Sequence, residues 1–398
     1  MLFQAFRALV LDETMSWNMP VLTEPEKVPP LELNRLFMRT VSCLLVIIFA
    51  SLAYYYLTHD KKAFLYFLCL SLIVFILSGF AAGWKLFCAG MLVKNNEIIE
   101  LSNKNAESIC CKWASEYISI IDFASAFPCG VEIDKFSRGD ECNIIGNKAI
   151  KFSDEVDYIA VFQELLSSLR YKLLAFSQAG KLEVSLYGPE VLSLSLWRSF
   201  SLAWKNLNLP DDTVATPVFL VNSFTVQIDE WLQNPGDKCR LVVVCNPLLS
   251  DDVRHLTSDG ACAWLLAPAD ITEHLPQKGR LYRALDTDSA ALDSDLSNFL
   301  KYQEGTMGIE NLWFDNIDDK SIINEVIQKC NEKNPGALSQ YFTEFILGKQ
   351  GDSGIWMTIA LALLNGKSKN AVNLIVSQHK AQTLLVQIKS TFFQKETL

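Results

Sequence analysis

The chain has 398 residues, 50% hydrophobic and 20% charged, with a formal net charge of −10, a pI near 5.1 and a mean hydropathy of +0.18. That apolar share excludes intrinsic disorder, and the acidic balance argues against nucleic-acid binding, because neutralising phosphates takes a basic face. A positive mean hydropathy is high for a wholly soluble protein, so some segment must supply the excess.

The excess lies near the N-terminus. Val41 to Thr58 (VSCLLVIIFASLAYYYLT) and Ala63 to Trp84 (AFLYFLCLSLIVFILSGFAAGW) hold no charged residue, and about 20 apolar helical residues are what a bilayer core requires. Both read as transmembrane helices. Only His59, Asp60, Lys61 and Lys62 separate them, so they form a tight hairpin with both flanks on one side. A cleaved signal peptide does not fit, since about 40 residues precede the first span. Met1 to Trp17 reads as a short amphipathic segment, suited to a membrane surface or equally to an ordinary surface helix or tail. Lys61 and Lys62 mark the hairpin tip and Arg35, Arg39, Lys85 and Lys94 the outer flanks. The positive-inside rule therefore puts the N-terminus and everything after Trp84 in the cytoplasm. Nine cysteines after the spans, an odd number without a short-loop pairing pattern, fit a reducing compartment.

From about Leu101 onward strands and helices alternate, the signature of an α/β layer fold. The spacing predicts a strand over Tyr117–Asp122 and a helix capped by Ser153 that runs to about Phe176. A strand over Leu182–Tyr187 and a helix opened by Gly188-Pro189 and reaching Trp204 follow. Next come a helix over Asn222–Gln233 and an apolar strand over Arg240–Cys245. Ala261–Ala267 and Arg280–Leu285 are strands with no helix between them, which predicts an antiparallel pair. A second series holds helices near Asp293–Gln303, over Lys320–Asn331, Ser339–Leu347 and Gly354–Leu364, with a strand over Ile309–Phe314. It closes on strands over Val372–Gln378 and Thr383–Lys389. The expected organisation is an N-terminal cytoplasmic segment over 1–40, a transmembrane hairpin over 41–84, a linker over 85–114, and α/β halves over 115–290 and 291–398.

Two halves of strands and helices, each ending in a strand pair, resemble the thiolase and ketoacyl-synthase fold. That resemblance implies duplicated halves in a five-layer α-β-α-β-α sandwich. More narrowly, Ile228-Asp229-Glu230-Trp231-Leu232, the strand Leu241–Val244, Gly260 to Leu266, Gly279 to Arg283, Gly354-Ile355-Trp356 with Ala360 to Leu363, and the closing pair are similar in spacing to membrane-anchored proteins found with bacterial type VI secretion systems. That family includes accessory proteins of secreted phospholipase effectors. The resemblance covers roughly residues 115 to 390 and implies a bacterial inner membrane as the location and a secreted effector or secretion-system protein as partner.

Thiolase-like chemistry needs a nucleophilic Cys at a helix N-terminus with two His, or a His and an Asn, to hold the thioester oxyanion. After the spans the sequence has only His255, His274 and His379, none in a glycine-flanked motif. Cys245, following a buried strand and preceding Asn246-Pro247, is the one weak catalytic candidate, and its position equally suits a small core residue. Asp251-Asp252-Val253-Arg254-His255 lacks a second ligand cluster and reads as a solvated turn or cap, so no metal is expected. No Walker or dinucleotide glycine pattern and no Gly-x-Ser-x-Gly elbow occurs, so no cofactor is expected. The acidic runs Asp315 to Asp319 and Asp286 to Asp295 read as solvated loops and helix starts, Cys110-Cys111 as a buried pair or thiols without a role, and Trp197, Trp204 and Trp231 as core. The expectation is a non-catalytic, inner-membrane-anchored adaptor, bound to lipid through its two helices. The rivals are a membrane-associated acyl-transfer enzyme acting through Cys245 on a thioester and an immunity protein against a co-encoded toxin.

Overall fold

The computed structural model describes residues 17, 19–30, 32–58, 61–140, 142–146, 148–152, 156–247, 257–272, 275–303, 308–334, 336–351, 353–365, 370–379 and 382–391. They fall into two units, one over 20–109 and one that joins Trp17 and Met19 to residues from Cys110 onward.

The first unit is built on helices α1 (Leu33–Thr58) and α2 (Lys61–Ala114), both long and apolar enough to cross a membrane. They meet as a hairpin through ring contacts of Tyr54 with Phe67 and Tyr55 with Phe64. Many of their apolar side chains are exposed, Phe37, Leu57, Tyr66 and Phe80 each by more than two-thirds. Such surface is unfavourable in water and is suited to hydrocarbon. The linker expected over 85–114 is the unbroken continuation of α2. Two of its asparagines clamp an extended segment alongside it. Asn103 exchanges two hydrogen bonds with the backbone of Thr23, at 2.8 and 3.3 Å, and Asn96 does the same with Glu26, at 2.7 and 3.0 Å. Seven helical residues and three extended ones both span roughly 10 Å, so the two ladders stay in step.

The second unit carries one ten-stranded mixed sheet. In chain order its elements begin with β1 (Tyr117–Ala126), α3 (Ile133–Arg138), α4 (Tyr158–Gln178), β2 (Leu182–Tyr187), α5 (Ser193–Asn206), α6 (Phe224–Gln233), β3 (Cys239–Asn246) and β4 (Gly260–Pro268). After the short α7 (Ala269–Thr272) come β5 (Gly279–Tyr282), β6 (Leu285–Asp288), α8 (Leu292–Tyr302), β7 (Ile309–Asp315) and α9 (Lys320–Lys333). The chain then forms β8 (Ser339–Phe342), α10 (Thr343–Leu347), α11 (Gly354–Leu364), β9 (Val372–His379) and β10 (Gln382–Ser390). The strand order is β2-β3-β4-β1-β5-β10-β9-β7-β8, with β6 also on β10.

Three cores divide this unit into layers. The first packs α4 (Phe162, Leu166, Leu169) and α5 (Phe200, Trp204) on one face of β1 to β4. The second puts the apolar helix α11 (Ile359 to Ala362) and α6 (Ile228, Trp231) between the other face of those strands and Trp313, Ile375 and Val386 of β7, β9 and β10. The third lays α8 (Leu296, Phe299) and α9 (Ile322, Val326) on the far side of β7 and β9. The order is helix, sheet, helix, sheet, helix, the five-layer arrangement that the resemblance implies. Alternation along each strand assigns its side chains: Leu241 and Val243 enter the first core, Val242 and Val244 the second.

Several local expectations change. The helix expected from Ser153 starts at Tyr158, because the Asp157 carboxylate caps it by accepting from the Ile159 N–H at 3.0 Å; residues 153–155 lie outside the described residues. Ser339–Phe342 is a strand, not part of a helix. Tyr341 stacks on Trp313 at 4.5 Å and Phe342 on Phe314 at 5.3 Å, cross-strand partners that no local helix would create. The strands read as an antiparallel pair, β4 and β5, each pair with β1, which lies between them. The closing pair β9 and β10 is antiparallel as expected. The halves share one sheet, because β5 of the first pairs with β10 of the second.

The last turn of α2 is anchored in this unit. Arg283, 1% exposed, pairs with Asp229 and Glu116 at 2.5 Å each, donates to the Trp113 carbonyl at 3.2 Å and lies 4.2 Å from the Trp113 ring centre. Trp17 stacks on Phe299 and meets Trp113 edge-on, and its indole N–H donates to the Ala284 carbonyl. Of the amphipathic segment over 1–17, only this tryptophan is described. Cys110 is buried beside it in the third core.

Candidate functional site

Cys245 stands near the end of β3 with its side chain in the first core, fully buried. Burial first, then the nearby Asp259 and Cys262, pushes its thiol well above the ordinary range, away from the thiolate a nucleophile needs. The Tyr158 hydroxyl is raised in the same way, by burial and then by Cys245 and Asp259. A plug of hydrogen bonds closes the strand end. The Asn246 amide donates to the Ser258 carbonyl at 2.9 Å, the Asp259 carboxylate accepts from the Phe152 N–H at 2.8 Å, and the Ser258 N–H donates to the Lys349 carbonyl at 2.6 Å. Gly188 also abuts it closely: a Cβ there would stand 3.1 Å from the Cys245 carbonyl oxygen. The thiol thus faces a packed core.

Of the histidines, His379 is described. It ends β9 opposite Gln382, and its charge is felt by Asp286, not by Cys245. His255 and His274 lie outside the described residues, as do Asp251, Asp252, Val253 and Arg254. Among the described residues no group of three His, Cys, Asp or Glu is placed to hold a metal ion.

A second buried polar cluster was not expected. Asp315, read as part of a solvated run, is fully buried where β7 meets the N-terminus of α11. The apolar run Leu312-Trp313-Phe314 carries it into the core, and Asn316, at φ 52°, turns the chain only after it. Its Oδ2 accepts from the Ser377 hydroxyl at 2.8 Å, while its Oδ1 and the buried Ser353 Oγ have no partner among the described residues. Gly354 permits this approach, since a Cβ there would lie 2.9 Å from Oδ2. Burial raises the Asp315 carboxyl to about 7; the Ser377 hydrogen bond opposes this, the Glu344 charge adds to it, and the nearby Thr358 hydroxyl opposes it further. It can therefore exchange a proton near neutrality, but its burial keeps it from any solute. Asp295, in the other acidic run, is buried too and accepts from Thr287 at 2.7 Å, whereas Asp319 does start a helix, capping α9.

An open feature among the described residues of the unit is a groove of about 680 Å³ along the edge strand β2, lined by Trp231, Arg240, Thr216, Val218 and Val221 among others. Trp197, Trp204 and Trp231 are all buried, as expected. Trp231 nonetheless lines this groove, and the Arg240 guanidinium lies 5.7 Å from its ring centre. No sequence motif marks the groove, because which strand forms an edge is decided by the sheet order.

No protein-family model and no curated protein matches the chain. Among solved structures it is similar to 3-oxoacyl-(acyl-carrier-protein) synthase III of Aquifex aeolicus, with 12% identity, 68% of this chain and 99% of that one covered, and a TM-score of 0.44. It is likewise similar to a ketosynthase domain of Streptomyces albus, with 12% identity, 69% and 95% covered, and a TM-score of 0.48. For OleA of Xanthomonas campestris the values are 11%, 69% and 98%, and 0.45. At such identity the likeness concerns the fold and brings no residue role with it.

Proposed function

We propose that the chain is a membrane-anchored binding protein. The two apolar helices hold it in a bacterial inner membrane with its bulk in the cytoplasm, where the layered domain serves as adaptor for a secreted effector or secretion-machine subunit of the type VI kind. The observation that carries this reading is the groove along β2, where the strand edge before Leu186 is unpaired among the described residues and lies beside an apolar and acidic lining. The environment of Cys245 supports it, since a thiol held up by burial inside a core is poorly suited to attack. The test is purification of the full chain in detergent with the effector encoded beside it, together with effector delivery in cells lacking this chain. Stable association and lost delivery are expected; delivery that continues without the chain refutes the adaptor role, and protection from the effector's toxicity in its place makes the chain an immunity protein.

A second reading, acyl transfer on a thioester, is favoured by the five-layer order, which the condensing enzymes named above share. It requires Cys245 to leave the first core. Turnover of an acyl thioester by the full chain, abolished in Cys245→Ser, is the outcome that establishes it and displaces the first reading.

A further inference from the structure

The β2 groove has the chemistry of a strand-addition site. In the parallel β2–β3 ladder the Lys181 carbonyl accepts from the Cys239 N–H at 2.8 Å, which turns the odd-numbered residues of β2 inward and leaves the N–H and C=O of Leu182, Val184 and Leu186 on the outer edge. Leu186 is satisfied there: it donates to the Val218 carbonyl and accepts from the Leu220 N–H, both at 2.9 Å. That single bridge is all the pairing the outer edge of β2 has among the described residues, and the groove opens where it ends, beside Leu182 to Ser185. Val221 and Val218 on its rim are 88% and 48% exposed. Glu183, Asp212 and Glu230 line it. Glu183 is held by Lys238 at 3.2 Å and by Arg240 at 3.8 Å, and the Arg240 guanidinium also donates to the Asn234 and Pro235 carbonyls at 3.2 and 3.0 Å. The carboxylates of Asp212 and Glu230 are therefore the ones without an ion pair among the described residues.

We infer that the groove takes an extended, positively charged segment of a partner polypeptide. The segment pairs its backbone with Val184 as a new outermost strand, sets its cationic side chains against Asp212 and Glu230, and rests its apolar ones on Val218 and Val221. This deepens the adaptor reading and rests on it.

The probe is a fluorescently labelled ten-residue peptide of alternating Lys and Val, titrated by anisotropy against the full chain in nanodiscs of zwitterionic lipid. Glu/Val and proline-interrupted Lys/Val peptides serve as controls. Expected are saturable binding of the Lys/Val peptide alone and slowed exchange of the Val184 amide proton. Affinity should fall about ten-fold in a chain carrying Asp212→Asn and Glu230→Gln, as expected when two partly exposed charge contacts are lost. Val221→Lys, on a residue nearly all in solvent, should weaken binding without touching the core. Equal binding of the Glu/Val peptide, or no change at Val184, overturns the inference, as does self-association of the chain through this edge. Association with the effector that survives Val221→Lys and the double variant leaves the adaptor reading standing and removes only this site; loss of association already in the unaltered chain removes the reading itself.

Discussion

Replacing Asp315 with Asn should change how the stability of the layered unit responds to pH. Burial raises this carboxyl from 3.8 to about 7 in the folded chain. The folded state therefore holds the proton more tightly than the unfolded one, and its advantage is complete below the unfolded value and lost as pH rises toward 7. A shift of about 3 units at 1.36 kcal/mol each corresponds to a loss on the order of 4 kcal/mol between about pH 4 and pH 7, levelling off above. Asparagine is neutral throughout and keeps an oxygen for the Ser377 hydroxyl, and any cost of burying its amide nitrogen is the same at every pH. Urea unfolding of the full chain in detergent micelles, followed by tryptophan fluorescence at half-unit pH steps, measures the difference between parent and variant. Trp313, two residues away in the same strand, reports from the neighbouring core. The difference should drift in favour of the variant from pH 4 to 7 by up to that amount. Parallel curves for parent and variant would show that Asp315 titrates normally and that its burial does not govern its proton.

Three further outcomes are expected. Arg283→Ala should destabilise the layered unit by about 3 kcal/mol, the low end for a broken buried pair because Asp229 and Glu116 are each about one-third exposed; a loss below about 1 kcal/mol in the same unfolding assay contradicts the anchoring role. Asn96→Ala combined with Asn103→Ala should speed amide exchange at Thr23 and Glu26 by at least five-fold, since each reciprocal pair is worth about 1 kcal/mol; unchanged exchange means the clamp does not hold the segment. Iodoacetamide at pH 8 should modify the exposed Cys129 long before the buried Cys245, as mass spectrometry of peptides will register. Equal rates at the two thiols would mean that the β3 end opens and would reopen the catalytic reading.

The sequence carries the parts of the fold that rest on local pattern. Uncharged runs reveal α1 and the first half of α2, and the continuous apolar runs in β3, β4 and β9 are buried on both faces as such runs predict. What it does not carry is decided between elements. β8 is a strand because of aromatic partners on β7, some 28 residues earlier. The position of β1 between β4 and β5 rests on its two edges, since Ile118 to Ile120 pair with β4 on one side and β5 on the other, and no local pattern names those partners. Asp315 resembles its solvated neighbours in composition, and the one local sign of its burial is the unbroken apolar run ahead of it. Asn96 and Asn103 give a seven-residue spacing, but without the extended segment from Thr23 to Glu26 that spacing has no meaning.

The sheet order bears on where a partner can join. Pairing through β1, β5 and β10 merges the two halves into one sheet, which removes both inner edges and leaves β2 and β8 at the ends. An unpaired edge invites adventitious strand pairing, and proteins restrict it with short strands, charges or covering segments. β8 follows that rule: it has four residues and runs directly into α10. β2 follows it only in part. Its C-terminal portion is covered at Leu186 by the segment around Phe219, while its N-terminal portion borders the groove with Glu183 beside it. A carboxylate at that point discourages association with the edge of another copy of this acidic chain and favours a cationic strand. The charge that protects the edge and the charge that would select a partner are then the same, so removing Glu183 should raise self-association as it lowers selectivity for Lys over Glu peptides. Sedimentation of the Glu183→Gln chain alongside the peptide titration separates these effects: a change in neither would mean the carboxylate serves only its ion pairs with Lys238 and Arg240.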